Sequence, residues 1–96
     1  MSSVVIPDSV TSISDFAFSY CDLLKEIVIP DSITSIGDCA FQGCELLASV
    51  NLPPNIKKIG YGTFIECKNL QTIRYKRGLN GAEKLREGNK ARLVPY

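Results

Sequence analysis

Residues 4–26 (VVIPDSVTSISDFAFSYCDLLKE), 27–49 (IVIPDSITSIGDCAFQGCELLAS) and 50–72 (VNLPPNIKKIGYGTFIECKNLQT) align without a gap when the chain is slid by 23 residues. A period between roughly 20 and 50 residues marks an array of stacked units, each unable to bury its apolar face alone. The repeat therefore restricts the chain to a solenoid or a similar stack, and about three units is the usual minimum for stability. The chain stands at that minimum.

Each unit follows one plan. It opens on an apolar run, Val4 to Ile6, Ile27 to Ile29 and Val50 to Leu52, which reads as a short strand. Pro7, Pro30 and Pro53 end the strand, because proline has no N–H for a ladder and presets a turn. A second short stretch, Val10 to Ile13, Ile33 to Ile36 and Ile56 to Ile59, has its apolar residues three apart. It reads as a strand with a bend or bulge. Asp15 and Asp38 then precede Phe18 and Phe41, where an acid suits the N-cap of about one helical turn.

Stacking the units aligns Ile6/Ile29/Leu52, Ile13/Ile36/Ile59, Phe18/Phe41/Phe64, Cys21/Cys44/Cys67 and Leu24/Leu47/Leu70. A column that stays apolar in every copy faces the shared core. A fourth copy starts with Ile73, Tyr75 and Leu79. It then places Glu87 in the phenylalanine column and Lys90 in the cysteine column, so the coil is expected to end near Gly81. Asn80 and Glu83 have capping-box spacing and predict a helix over 81–87. Leu85, Leu93 and Val94 are then the residues available to cover the last coil. The expected architecture is a single repeat domain, a mainly-β solenoid arc of about three and a half coils with a helical or irregular basic cap over 80–96.

The pattern L-x-x-I-x-I-P-x-x-[VI]-x-x-I-[GS]-x-x-A-F-x-x-C, carried here by residues 24–44, closely resembles the BspA-like leucine-rich repeats. The resemblance spans residues 4–73. The third unit departs from it at Pro54-Asn55 and Gly62-Thr63, and the tail after Arg77 does not follow it. The resemblance implies an arc of parallel strands, a role in adhesion or in binding proteins, and motif positions that are structural rather than catalytic. It also suggests a cell-surface or secreted parent protein.

The chain has no histidine, which removes the commonest general base and metal ligand. The reading is non-catalytic, with no cofactor. Cys39 and Cys44 are five apart and the other cysteines 23 apart, unlike the close pairs of zinc sites. Cys21, Cys44 and Cys67 read as buried reduced thiols. A disulfide between neighbouring coils has a permitted Cα spacing but too long a Cβ separation. Cys39, in the Phe16/Gly62 column, is the thiol expected to be exposed. No apolar run approaches the ~20 residues of a membrane span, and the N-terminus lacks the basic region of a signal peptide. The protein therefore stays inside the cell, or the chain is a piece whose export signal lies elsewhere.

Charge is divided along the chain. Up to Ser49 there are seven acids and one base, Lys25; from Arg74 onward there are seven bases against Glu83 and Glu87. The basic tail admits phosphate contacts, but the scarcity of aromatics there and the absence of a nucleic-acid motif leave that a distant alternative. The candidate partner surface is the outward strand positions, Glu26 and Val28, with their column mates Val5, Ser49, Asn51, Thr72 and Arg74. These vary between copies where the core columns do not. A second candidate is the uncapped first strand, Val4, Val5 and Ile6, an edge that invites pairing. A frayed coil, a truncated fragment and self-association compete there, and self-association as a dimer is favoured. The favoured function is thus a protein-interaction or adhesion module, with a self-assembling structural unit as the alternative.

Overall fold

In the computed structural model, which describes residues 3–96, every unit supplies two strands. The first strands are β1 (Ser3–Val5), β3 (Glu26–Val28), β5 (Ser49–Asn51) and β7 (Thr72–Tyr75), each beginning one residue before its apolar run. They stop short of the prolines, which have no N–H to carry a ladder further. The second strands are only two residues long: β2 (Ser12–Ile13), β4 (Ser35–Ile36) and β6 (Lys58–Ile59). All pairings are parallel. β1 pairs with β3, β4 lies between β2 and β6 and pairs with both, and β5 pairs with β7. The registers Val4↔Ile27 and Val50↔Ile73 reproduce the 23-residue slide. The result is a mainly-β solenoid with about four turns.

The third side of each coil is a run of turns rather than a helix. Phe16, Cys39 and Gly62 share one column and have φ of 60°, 53° and 60°. Tyr20, Gly43 and Glu66 share another, with φ of 59°, 71° and 62°. Such left-handed residues stop a helix from forming and cost roughly 1–2 kcal/mol each where the residue is not glycine. Hydrogen bonds between coils offset that cost. Phe18 N–H donates to Ala40 O at 2.7 Å, Phe41 N–H to Thr63 O at 2.8 Å, and Cys39 N–H to Tyr61 O at 2.9 Å.

Asp15 and Asp38 also act between coils, which corrects their reading as caps of their own turns. Asp38 N–H donates to Asp15 Oδ1 at 2.7 Å and Tyr61 N–H donates to Asp38 Oδ1 at 2.8 Å. The close stacking requires glycine beside these acids. A Cβ added to Gly37 would lie 2.5 Å from the Asp15 backbone nitrogen, and one added to Gly60 would lie 2.5 Å from that of Asp38.

Inside, the invariant columns form the core. Phe18, Phe41 and Phe64 stack with centroids 5.3 Å apart at both steps and ring planes tilted by 5° and 8°. Ile33, Ala40, Phe41, Cys44, Leu47 and Phe64 have no exposed surface. All four cysteines are free thiols, Cys44 and Cys67 buried, Cys21 and Cys39 half-buried. Cys44 Sγ donates to Phe18 O at 3.2 Å and Cys67 Sγ to Phe41 O at 3.1 Å.

The tail departs from expectation. The coil does not end near Gly81. A short 3₁₀ helix (Ala82–Arg86) turns the chain, and a further strand, β8 (Arg92–Pro95), pairs with β7 in the register Thr72↔Arg92. The last coil closes in 20 residues instead of 23, so residues read as misaligned fall into other columns. Leu85 and Ala91 are fully buried at this end. Asn89 takes the role of the missing cysteine, its Nδ2 donating to Phe64 O at 3.3 Å. The capping box of Asn80 and Glu83 does not form. Gly81 occupies the cap position at φ 81° with no side-chain bond, a backbone geometry that glycine adopts freely. Glu87 instead accepts from Gly62 N–H at 2.8 Å, in place of the next-coil carbonyls, Asp38 O and Tyr61 O, that accept from Phe16 and Cys39 N–H.

Candidate partner surface

Side chains alternate across a strand, so the middle residues of β1, β3, β5 and β7 point into the core and their flanking residues point out. Val50 and Ile73 are buried and Val4 and Ile27 half-buried. Of the sequence-predicted surface, Val5, Glu26, Val28, Ser49, Asn51 and Arg74 are exposed and Thr72 is half-buried. Adjacent strands lie about 4.8 Å apart, which gathers these residues into two parallel rows on one face.

β8 adds three residues to this face that sequence reasoning missed. Arg92 joins the row of Ser49 and Thr72, and Val94 joins the row of Asn51 and Arg74. Tyr96 follows, its hydroxyl donating to Leu52 O at 2.7 Å. The signal was present in the tetrapeptide Arg92-Leu93-Val94-Pro95, which has the strand-then-proline form of Ile27-Val28-Ile29-Pro30.

The face changes character along the solenoid axis. Val5 and Val28, 72% and 56% exposed, make its first end apolar, with Glu26 beside them. Ser49 and Asn51 are neutral hydrogen-bonding groups in the middle, and Arg74 and Arg92 make the last end cationic. A cavity of about 410 Å³ opens beside Arg74, walled by Asp31, Asn51, Pro53, Pro54 and the Tyr96 ring. Guanidinium, amide and ring edge together suit recognition of a carboxylate or a backbone segment.

The groups whose proton affinity is displaced lie elsewhere. Burial raises the pKa of the Cys21 thiol. Cys44 is pushed far above the usual thiol range by its hydrogen bond with Cys67 and by burial. Both belong to the packed thiol column and hold their protons there. Among the described residues, no three His, Cys, Asp or Glu side chains are placed to hold a metal ion, and no helix is long and apolar enough to cross a membrane.

The second sequence-predicted site is split by the structure. β1 has β3 on one side and no described strand on the other. Val5 is open to solvent and Val4 half-buried, but Ile6 is 7% exposed and its N–H donates to Val28 O. Ile6 is thus a core residue, and only Val4 and Val5 belong to the edge.

Parallel strands in 23-residue register, a buried ladder of like side chains and a variable outer face define a leucine-rich-repeat scaffold. The chain belongs to the BspA type leucine rich repeat region family, whose profile matches residues 1–85 in six copies. Among solved structures it is similar to a leucine rich cell surface protein from Faecalibacterium prausnitzii, with 40% identity and a TM-score of 0.75 over 78% of this chain and 20% of that one. It also shares the fold of a leucine-rich repeat protein from Bacteroides ovatus, with 21% identity and a TM-score of 0.65 over 98% of this chain and 30% of that one. The chain therefore spans between a fifth and a third of the length of these proteins. A search of curated proteins finds no match.

Proposed function

We propose that the chain is a non-catalytic protein-binding module of a cell-surface protein, and that it meets its partner through the outer rows of β1, β3, β5, β7 and β8. The observation that carries this reading is the contrast between columns. Inward positions keep one character through all coils, whereas the outward rows pass from valine and glutamate through serine and asparagine to arginine. Packing constrains the first set, and the second is free to match another surface. The likeness to a cell surface protein supports the location. A photo-crosslinking residue at Asn51 tests the assignment in cells that produce the protein. The expected result is one defined adduct from Asn51, lost when Arg74→Glu is added, and none from Asn69 on a turn. Equal capture from both positions would refute the assignment of this face.

A further inference from the structure

We infer, resting on the outer rows as the binding face, that the partner segment taken up there is an extended acidic peptide, held where coils 3 and 4 form a basic corner. The corner contains two cavities that share Pro53 and Pro54 as a common wall. The first is the one beside Arg74. The second, of about 300 Å³, is bounded by Lys57, Lys76 and Arg77, with Ile56 and Leu79 as an apolar floor. Both are small among ligand sites, which span roughly 300–1,000 Å³, so each suits one or two side chains of a segment lying across the surface.

The corner lies within the stack. Lys57 N–H bonds coil 3 to coil 2 through Thr34 O at 2.7 Å, and on the other side Arg77 N–H donates to Tyr96 O at 3.0 Å. A four-residue turn shapes the second cavity. Leu79 N–H closes it on Lys76 O at 3.1 Å, with Gly78 at φ 94° in the position that demands a left-handed residue. The equivalent turns of coils 1 and 2 begin with Pro7-Asp8 and Pro30-Asp31, where this one begins with Lys76-Arg77. Two other columns change in the same direction. Thr11 and Thr34 give way to Lys57, and Val5, Val28 and Asn51 give way to Arg74. All four bases are exposed, so packing does not call for them.

Charge and floor together select the ligand. Among the described residues the one ion pair is Lys68–Glu45, which leaves these four bases without acid partners. The acids of residues 50–96 are Glu66, Glu83 and Glu87. Glu66 accepts from Gln42 Nε2, Glu87 accepts from Gly62 N–H, Glu83 sits on the 3₁₀ helix, and none of them lines either cavity. A carboxylate is the complementary group, and a guanidinium grips it bidentately. Asp31, in the wall of the first cavity, separates a peptide from a continuous polyanion. Its carboxylate repels a run of phosphates or sulfates but accepts hydrogen bonds from peptide N–H groups. The apolar floor takes aliphatic side chains lying between the acidic ones. Arg74 and Arg77 are three residues apart, at most ~11 Å, which an extended peptide covers in about three residues. The segment therefore carries carboxylates about two to four residues apart, with aliphatic residues between them.

Fluorescence anisotropy of a labelled, capped octapeptide of alternating glutamate and valine, titrated with the purified chain, tests this. Binding should weaken as salt rises to about 1 M, where the screening length is ~3 Å. Arg74→Gln and Arg77→Gln should each raise Kd by about three- to tenfold, and the triple variant Lys57→Gln, Lys76→Gln, Arg77→Gln by more. Lys68→Gln removes the same charge from a turn of coil 3 outside the corner and should leave Kd unchanged. All the replaced side chains are exposed, so the fold is retained. The acidic-peptide assignment is overturned if a glutamine-for-glutamate peptide binds equally well, or if Lys68→Gln weakens binding as much as Arg74→Gln. It is also overturned if the glutamate peptide does not bind at low salt, or if a heparin fragment of equal charge binds the corner more tightly, which would mark a polyanion site. Failure of the binding face itself gives a different result, since Asn51 then captures no partner. A defined adduct at Asn51 that excess glutamate peptide does not displace leaves the face standing and rejects the acidic ligand.

Discussion

Replacing Phe41 by alanine should cost far more than replacing Phe18, although both belong to one column. Phe41 has no exposed surface and stacks on both Phe18 and Phe64 at 5.3 Å. Truncating a buried phenylalanine costs about 3–5 kcal/mol in transfer and cavity terms. Stacking adds about 0.5–1.5 kcal/mol per pair beyond burial, and Phe41 loses two pairs. Phe18 loses one pair and a side chain that is already half-exposed, so about 1–2.5 kcal/mol is expected there. A domain of this size has about 5–15 kcal/mol in total, which puts Phe41→Ala near the limit of folding. Urea unfolding followed by circular dichroism measures both variants. The expected result is a lower midpoint with an unchanged slope, the shift for Phe41→Ala at least twice that for Phe18→Ala. Equal shifts, or a Phe41→Ala protein that unfolds like the parent, would refute a continuous stacked core.

Gly37→Ala should destabilise by about 1–3 kcal/mol through overpacking against coil 1, because its φ is unexceptional and the added carbon would lie 2.5 Å from Asp15 N; a thermal melt reads the loss. Tyr96→Phe should lower stability by about 0.5–1.5 kcal/mol through the missing bond to Leu52 O, while Tyr61→Phe, on an exposed ring, should stay within about 0.5 kcal/mol of the parent. For pH, the folded state raises Cys44 above its ordinary value of 9.0, so above that pH the unfolded chain binds fewer protons than the fold. Stability from this group is complete below about pH 9 and should fall as pH rises, by at most ~1.4 kcal/mol per unit. Cys67 shares the hydrogen bond and is lowered by it, so the pair is removed together: denaturant titrations at about pH 8 and 10 should show a Cys44→Ala, Cys67→Ala variant losing less than the parent across the interval.

The buried columns were readable because a repeat exposes its own register. Each inward position is written three times, and Ile13, Ile36 and Ile59 are all found buried. The tail was not readable for the same reason in reverse. Three residues are missing between Thr72 and Arg92 relative to the repeat spacing, so a fixed slide placed Glu87 and Lys90 in apolar columns and hid β8. Left-handed residues were concealed by Phe16, Tyr20, Cys39 and Glu66, and only Gly43 and Gly62 marked the columns in which they fall. The role of the acids had a trace that needs the stacked view to interpret. Asp15 and Asp38 are each followed 22 residues later by a glycine, Gly37 and Gly60, whereas Tyr61 is followed by Glu83. Caps that act within a helix leave no such long-range pair. On the candidate face, the strand alternation identified the exposed rows, but Arg92, Val94 and Tyr96 required the pairing of β8.

The central claim is that hydrogen bonds join each coil to the next, through β1–β3, β4–β6, β5–β7 and β7–β8, so that the tail closes the last coil. Amide hydrogen exchange resolved by residue, in dilute solution at high salt, tests it most directly. Phe41, Gly43 and Thr34 should exchange only through global unfolding. The amides of Arg92 and Tyr96, which donate to Gln71 O and Tyr75 O at 2.8 and 2.9 Å, should be protected well above a free tail. Thr11, Ser14 and Asp15 should exchange orders of magnitude faster. Arg92 and Tyr96 amides that exchange as fast as those of an unstructured peptide would contradict the closed end, and Phe41 or Thr34 amides that exchange as fast as those of Thr11 and Ser14 would contradict the stack.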